Sequence, residues 1–286
     1  MPFDRAASRL LPHEWLCGGF LALLWMRLVI AVGFVDRDSL IIASLLVVNG
    51  VLLFCFPYGG DPSRSWRWRL LFYPIAMNLL YFVLATAIPA VHPLLDDSAL
   101  QAADRALIGT NLSVRLQPLV HPVLTDFFSF CYMLYFAYLI FGQVSYMFGN
   151  LIVLKKYYAG VFSLYAFGYL GYSLVPALGP HLAMADQFTT PLRGGWLTAA
   201  NDTLVATGSN HVDVFPSLHV GNALYLLMSD YRYKRWRFWA YLIPCAGLWA
   251  STLYLRYHYF VDVICGLALG GIAWKLANRA TRESGA

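Results

Sequence analysis

Charge is scarce in this chain: Asp, Glu, Lys and Arg make up 12% of its 286 residues, whereas hydrophobic residues make up 59%. A water-soluble domain carries about 25% charged residues, so that class is excluded. No carboxylate cluster suits Mg²⁺ and no Cys/His spacing suits zinc, so neither a metal nor another cofactor is expected. The five cysteines, Cys17, Cys55, Cys131, Cys245 and Cys265, lie far apart inside apolar runs. They read as buried small hydrophobes rather than as a disulfide framework. The first apolar run lacks a small-residue cleavage site, which predicts a retained first helix rather than a signal peptide. No internal repeat or low-complexity tract is present.

What is present is a succession of apolar stretches, near residues 15–35, 39–57, 70–92, 123–147, 157–176, 215–229, 236–255 and 259–277. A membrane-spanning helix needs roughly 20 predominantly apolar residues. The expectation is an all-α polytopic membrane helix bundle with about eight transmembrane helices, a single integral membrane domain over 1–286. The 215–229 stretch is short, as suits a helix that begins below the membrane surface inside a protein-lined cavity.

With the N-terminus inside, every basic cluster falls on one side: Arg5 and Arg9; Arg64, Arg67 and Arg69; Lys155 and Lys156; Arg232, Lys234, Arg235 and Arg237; Lys275, Arg279 and Arg282. The other side holds only the scattered Arg37, Arg105, Arg115, Arg193 and Arg256. The positive-inside rule then places both termini in the cytoplasm, and the net charge of +5 is a topology signal rather than a nucleic-acid footprint. The expected location is a bacterial cytoplasmic membrane. Two loops face outward. Residues 93–121 include an amphipathic stretch, Leu100 to Gly109, that fits a short interfacial helix, and residues 177–214, rich in Gly and Pro, read as a loop roofing the next apolar run.

Two histidine motifs fall on that outer side. In Ser251-Thr-Leu-Tyr-Leu-Arg-Tyr-His258-Tyr-Phe-Val-Asp262, a histidine and an aspartate stand four residues apart where idle ionisable groups are costly. If the stretch is helical, Asp262 shares a face with His258 and can hold one ring nitrogen, leaving the other to attack. Phe215-Pro-Ser-Leu-His219 supplies a second histidine at the head of a parallel helix, with Pro216 suited to the first helical position. Two helix N-termini meeting there would offer N–H groups to an anion such as phosphate.

These two motifs resemble the C-terminal motifs of inositol phosphorylceramide synthases, a branch of the type 2 phosphatidic acid phosphatase superfamily. The resemblance extends to Tyr172-Ser-Leu-Val-Pro176-Ala-Leu-Gly-Pro180 and to Leu100–Gly109 followed by Leu124-Thr-Asp126. It implies a six-helix catalytic core (69–286) preceded by an accessory hairpin (1–60). It also implies His258 as nucleophile forming a phosphohistidine, Asp262 as its orienting partner and His219 as general acid/base. The broader phosphatases carry a Lys-x6-Arg-Pro motif and an arginine after the last motif's serine. Here neither is present: Thr252 stands at the arginine position and Leu218 replaces the glycine of PSGH. Phosphate would then be held by Ser217, Arg256, Arg193 and His181, with Arg115 a further candidate.

Three readings compete: a lipid phosphotransferase using a lipid or alcohol acceptor, a lipid phosphate phosphatase using water, and a non-catalytic binding protein or transporter. Other polar residues have plainer expectations. His211 and Asp213 read as loop polars; His13, His92 and His121 as interfacial; Arg27 as a snorkelling residue or a partner of Asn49; and Tyr132 and Tyr135 as core, with the lining of a lipid-entry groove as the alternative. Asn111-Leu-Ser113 and Asn201-Asp-Thr203 are chance-level sequons on the outer side.

Overall fold

The computed structural model describes residues 10–55 and 62–282. Arg5 and Arg9, counted above as topology signals, lie outside the described residues, as does the end of the 39–57 stretch. Among the described residues there is no strand, and each of the eight apolar stretches is helical: α1 (Pro12–Val32), α2 (Arg37–Cys55), α3 (Pro62–Val91), then α4 (Asp97–Ile108), α5 (Leu112–Arg115), α6 (Pro122–Met147), α7 (Leu151–Leu174), α8 (Pro180–Ala183), α9 (Trp196–Gly208), α10 (Leu218–Tyr233), α11 (Arg235–Tyr254) and α12 (Phe260–Arg282). The chain is a polytopic helical bundle. Five of these helices, α1, α2, α3, α6 and α12, are both long and apolar enough to cross a bilayer. The other three stretches form α7, α10 and α11. Helix α7 carries Lys155, Lys156 and a series of tyrosines, α10 has only 16 residues, and α11 begins with Arg235 and Arg237.

The chain divides into two compact units. The first comprises residues up to Pro93, Gln143–Leu170 and Ile272 onward. Within it α1 and α2 pack against each other and against α3. Its polar centre is a buried ion pair in which Arg69 donates to both carboxylate oxygens of Glu14, at 2.7 and 2.6 Å. Glu14 also accepts the Leu11 N–H at 2.8 Å, capping α1. His13 is fully buried, its ring 4.4 Å from that of Tyr73. Two expectations are corrected here. His13 is a core residue rather than an interfacial one, and Arg69 is an internal ion-pair partner rather than a loop charge. The reason is that α1 starts at Pro12, so His13 and Glu14 fall within the packed first turn. Asn49 receives the Tyr73 hydroxyl at 2.9 Å.

The second unit comprises Leu94–Gly142 and Gly171–Gly271. It has one apolar cluster built from Leu100, Ala177, Met184, Val214 and Tyr259, and another from Val220, Leu253 and Val263. Arg237 is also internal: it pairs with Asp230, both side chains being inaccessible to solvent, and Tyr138 donates to the same carboxylate at 2.7 Å. The basic run Arg232–Arg237 is therefore not wholly a surface signal. The segment 177–214, expected as loop, contains the 13-residue helix α9. Its N-terminus is capped from another element: Asp126 of α6 accepts Gly195 N–H at 2.8 Å, Thr198 N–H at 3.0 Å and Thr198 hydroxyl at 2.6 Å. A cap supplied across 72 residues leaves no local signature for a helix start.

Candidate active site

Both histidine motifs belong to the second unit. Helix α10 starts at Leu218 with Ser217 as its N-cap, whose hydroxyl accepts Val220 N–H at 3.4 Å. Pro216 therefore lies before the cap rather than at the first helical position, because serine satisfies a first-turn N–H that proline cannot. Pro216 is seated on Gly171 of α7, where a β-carbon would lie 2.3 Å from the proline ring. His219 follows on the first turn of α10, and the N–H groups of Leu218 and His219 have no intrahelical acceptor by the geometry of any helix start.

His258 is not helical. Helix α11 ends at Tyr254, α12 begins at Phe260, and His258 stands in the bend between them. Its N–H and that of Tyr257 both donate to the Thr252 carbonyl, at 3.0 and 2.9 Å. Asp262, on the first turn of α12, reaches back to accept Tyr259 N–H at 2.8 Å, which is the reverse half of a capping box. That cap directs the carboxylate at His258, with Nδ1 to Oδ2 at 3.5 Å. The pairing expected from helical spacing is present, but capping produces it. His258 is 3% exposed and Asp262 is inaccessible, so the pair is shielded from competing water.

The open anion site expected at the N-terminus of α12 is absent. Asp104 of α4, also inaccessible, accepts Phe260 N–H at 3.0 Å and Val261 N–H at 2.9 Å. Seven residues earlier on the same face, Asp97 accepts Leu178 N–H and Gly179 N–H at 3.0 Å each and the Tyr259 hydroxyl at 2.9 Å. Carboxylates already occupy the donors at which a phosphate would bind, and α4 is a buttress for the His258 bend as well as an amphipathic helix. Its i, i+3, i+7 face of Asp97, Leu100 and Asp104 is buried. Sequence reasoning missed both aspartates. The signal available was two acids seven residues apart on the otherwise apolar face of an amphipathic helix.

The rings of His219 and His258 are 5.8 Å apart between centroids. Close approach of α10 and α12 makes this possible. A β-carbon on Gly266 would fall 2.4 Å from the Ser217 carbonyl oxygen, and one on Gly270 2.9 Å from that of Gly221. Small residues four apart let helix backbones meet in membranes. Gly266→Ala is expected to push the two helices apart, lowering stability by about 2 kcal/mol or more and reducing any turnover, checked by thermal unfolding in detergent. His219 is enclosed by aromatic side chains: the Tyr132 hydroxyl is 3.1 Å from its Nε2, and the rings of Tyr135 and Phe136 lie 5.1 and 5.7 Å away. Tyr132 and Tyr135 are buried as expected, and both lie against the histidine.

The phosphate-binding candidates do not form one cluster. Ser217 is buried as the α10 cap. Arg256, in the left-handed region at φ 68°, lies over the Phe188 ring at 4.1 Å and donates to the Thr190 carbonyl at 2.5 Å. Burial lowers its pKa from the ordinary arginine value. Gln117 grips the same loop, accepting from Thr189 N–H and Thr190 N–H at 2.8 and 3.1 Å. His181 packs edge-on against Tyr257 at 5.6 Å, its N–H donates to the Arg256 carbonyl at 2.8 Å, and burial lowers its pKa. Its Nδ1 is buried without a hydrogen-bond partner. Arg193 and Arg115 are solvent-exposed, whereas Thr252 turns its hydroxyl back to the Trp249 carbonyl at 2.9 Å. Ser209 donates to Asp213 at 3.3 Å, and His211 is exposed.

Both sequons are structurally occupied. Asn111 caps α5, accepting from Ser113 and Val114 N–H, and the buried Asn201 donates to the Tyr257 hydroxyl at 2.7 Å. Chemically, the site offers an imidazole backed by a carboxylate and a second imidazole within reach of the same small group. That combination can attack an electrophile and protonate what leaves.

A family model described as the PAP2 superfamily matches residues 98–276, which take in α4 and both histidine motifs. The match is to the superfamily as a whole and does not single out a branch. No curated protein and no solved structure matches the chain.

Proposed function

The chain belongs to the PAP2 superfamily, and from that premise we propose that it is a metal-independent membrane lipid phosphotransferase acting through His258. Superfamily membership points to lipid phosphatase or phosphotransferase chemistry, and the observation that carries the finer reading is the His258–Asp262 pair standing 5.8 Å, ring to ring, from His219. Asp262 faces Nδ1, so Nε2 of His258 is the attacking nitrogen. Its lone pair forms the N–P bond as the phosphorus–oxygen bond to the leaving group breaks, and His219 delivers a proton to the departing oxygen. In the second half, His219 takes the proton from an acceptor hydroxyl, whose oxygen attacks phosphorus and releases His258. General acid/base assistance of this kind contributes roughly 10²–10⁴-fold.

The substrate is a lipid whose phosphate reaches the α10 N-terminus, where Ser217 and the first-turn N–H groups of Leu218 and His219 face the reaction. Arg256 and His181, both largely withdrawn from solvent in the same unit, are the basic groups proposed to assist, whereas Arg193 and Arg115 are solvent-exposed. Occupation of the α12 N-terminus by Asp104 leaves α10 as the anion-binding helix start. The distribution of basic residues supports a site on the non-cytoplasmic side, with both termini in the cytoplasm. The inositolphosphotransferase branch remains the best likeness on the motifs themselves, Leu218 and Thr252 standing where the phosphatases have Gly and Arg.

The test is turnover of mixed phospholipids and lipid phosphates by purified protein in detergent containing EDTA, with free phosphate scored against new lipid products. Turnover that needs an added lipid or alcohol acceptor supports transfer. Phosphate release without an acceptor assigns the chain to the phosphatases, and turnover abolished by EDTA refutes the metal-independent mechanism.

A further inference from the structure

We propose that Tyr132 is the positioning residue for His219, holding its Nε2 so that Nδ1 is the nitrogen that gives and takes the reaction's proton. This deepens the phosphohistidine reading and rests on it. The Tyr132 hydroxyl lies 3.1 Å from His219 Nε2, and the two rings are 4.9 Å apart at 33°. Tyr132 itself is immobilised: it is 6% exposed, with the Tyr257 ring 4.9 Å and the Phe136 ring 6.0 Å away. The other ring nitrogen of His219, Nδ1, is buried without any hydrogen-bond partner among the described residues. A buried, unsatisfied ring nitrogen is costly and calls for an explanation. Here the missing partner is the substrate oxygen.

The proton balance follows from this geometry. In the acid form, Nε2–H donates to the Tyr132 oxygen and Nδ1–H to the leaving oxygen. As the phosphorus–oxygen bond breaks, the Nδ1 proton moves to that oxygen, and neutral His219 keeps its remaining proton on Nε2, still held by Tyr132. The freed Nδ1 lone pair then accepts the proton of the acceptor hydroxyl. Without the phenol, the ring loses the bond that selects this tautomer, and proton delivery becomes the weak step. Attack by His258 does not need the phenol.

The dependence on the leaving group separates this role from simple packing. Single-turnover release of the leaving alcohol would be followed for a short-chain alkyl phosphate and for its 4-nitrophenyl counterpart, in wild type, Tyr132→Phe, His219→Ala and His258→Ala. An alkoxide must be protonated as it leaves, whereas nitrophenolate need not be. Tyr132→Phe is expected to slow the alkyl substrate by about tenfold to a hundredfold at unchanged KM, while the aryl substrate slows by less than about threefold. His219→Ala should show the same split, larger on the alkyl side. Equal slowing of both substrates, or of neither, overturns the assignment while leaving the His258 chemistry standing. Turnover that survives in His258→Ala overturns both.

A substrate-free arm uses nitrogen NMR of protein labelled at histidine. Tyr132→Phe is expected to move the His219 Nε2 resonance and leave that of His258 in place. An unmoved His219 resonance overturns the proposal whatever the kinetics show.

Discussion

His258→Ala is expected to remove turnover altogether, a loss of about four orders of magnitude or more, because deleting the proposed nucleophile removes the covalent route rather than slowing it. The measurement is the rate of product formation together with trapping of a labelled, acid-labile and base-stable phosphoenzyme, which the variant should not form. Asp262→Asn should be less severe. The amide keeps an oxygen for the Tyr259 N–H, so the first turn of α12 stays closed, but the charge facing His258 Nδ1 is lost. A fall of up to about 10⁴-fold with little change in melting temperature is expected, by analogy with the Asp→Asn change behind another carboxylate-backed imidazole. A phosphoenzyme formed at normal yield by His258→Ala would sink the assignment.

The largest effect away from the histidines is expected at Asp104. This inaccessible carboxylate carries two N–H groups of α12, and each charge-assisted bond contributes about 1.5–3 kcal/mol. Asp104→Ala leaves both part-buried donors without their acceptor at the point where the chain turns from His258 into the helix. A loss of about 3 kcal/mol or more is expected, read as a lowered midpoint in detergent unfolding, together with loss of turnover as His258 loses its register with His219. Asp104→Asn keeps one acceptor oxygen and should recover part of the stability. Burial, the larger influence on Asp104, raises its pKa above the usual carboxylate value, against the pull of the Phe260 and Val261 N–H groups. The folded protein therefore holds this proton more tightly than the unfolded chain. The stability linked to that proton is fullest below the ordinary aspartate pKa and is lost as pH rises through the raised one. Asp104→Asn should flatten that part of the pH–stability curve. An alanine variant with wild-type stability and turnover would show that the two bonds carry no structural weight.

Capping residues mark where the structure departs from what was legible in sequence. The helices were legible because apolar runs of the right length have few other solutions in a membrane. The three residues proposed for the chemistry stood out because His219, His258 and Asp262 are ionisable groups beside apolar spans. The first turn of α12 was not: its N–H groups are taken by Asp104, 156 residues away from Phe260 in sequence. Helix α9 was hidden for the same reason, since its cap is Asp126 of α6. Arg69 and Arg237 looked like ordinary loop cations because their partners, Glu14 and Asp230, are assigned only once the helices pack.

By itself, then, the sequence determined the class of the protein, an all-helical polytopic membrane protein, and the identities of the three residues proposed for the chemistry. Hydropathy, helix length and the rarity of charge are properties of the chain read along its length, and they survive any arrangement of the helices. Only the tertiary structure decided which helix N-terminus has its donors taken by a distant carboxylate, which carboxylates hold the His258 bend and which phenol meets His219. Those choices depend on atoms a few ångströms apart in space but tens to hundreds of residues apart in sequence, and no local pattern encodes such a distance.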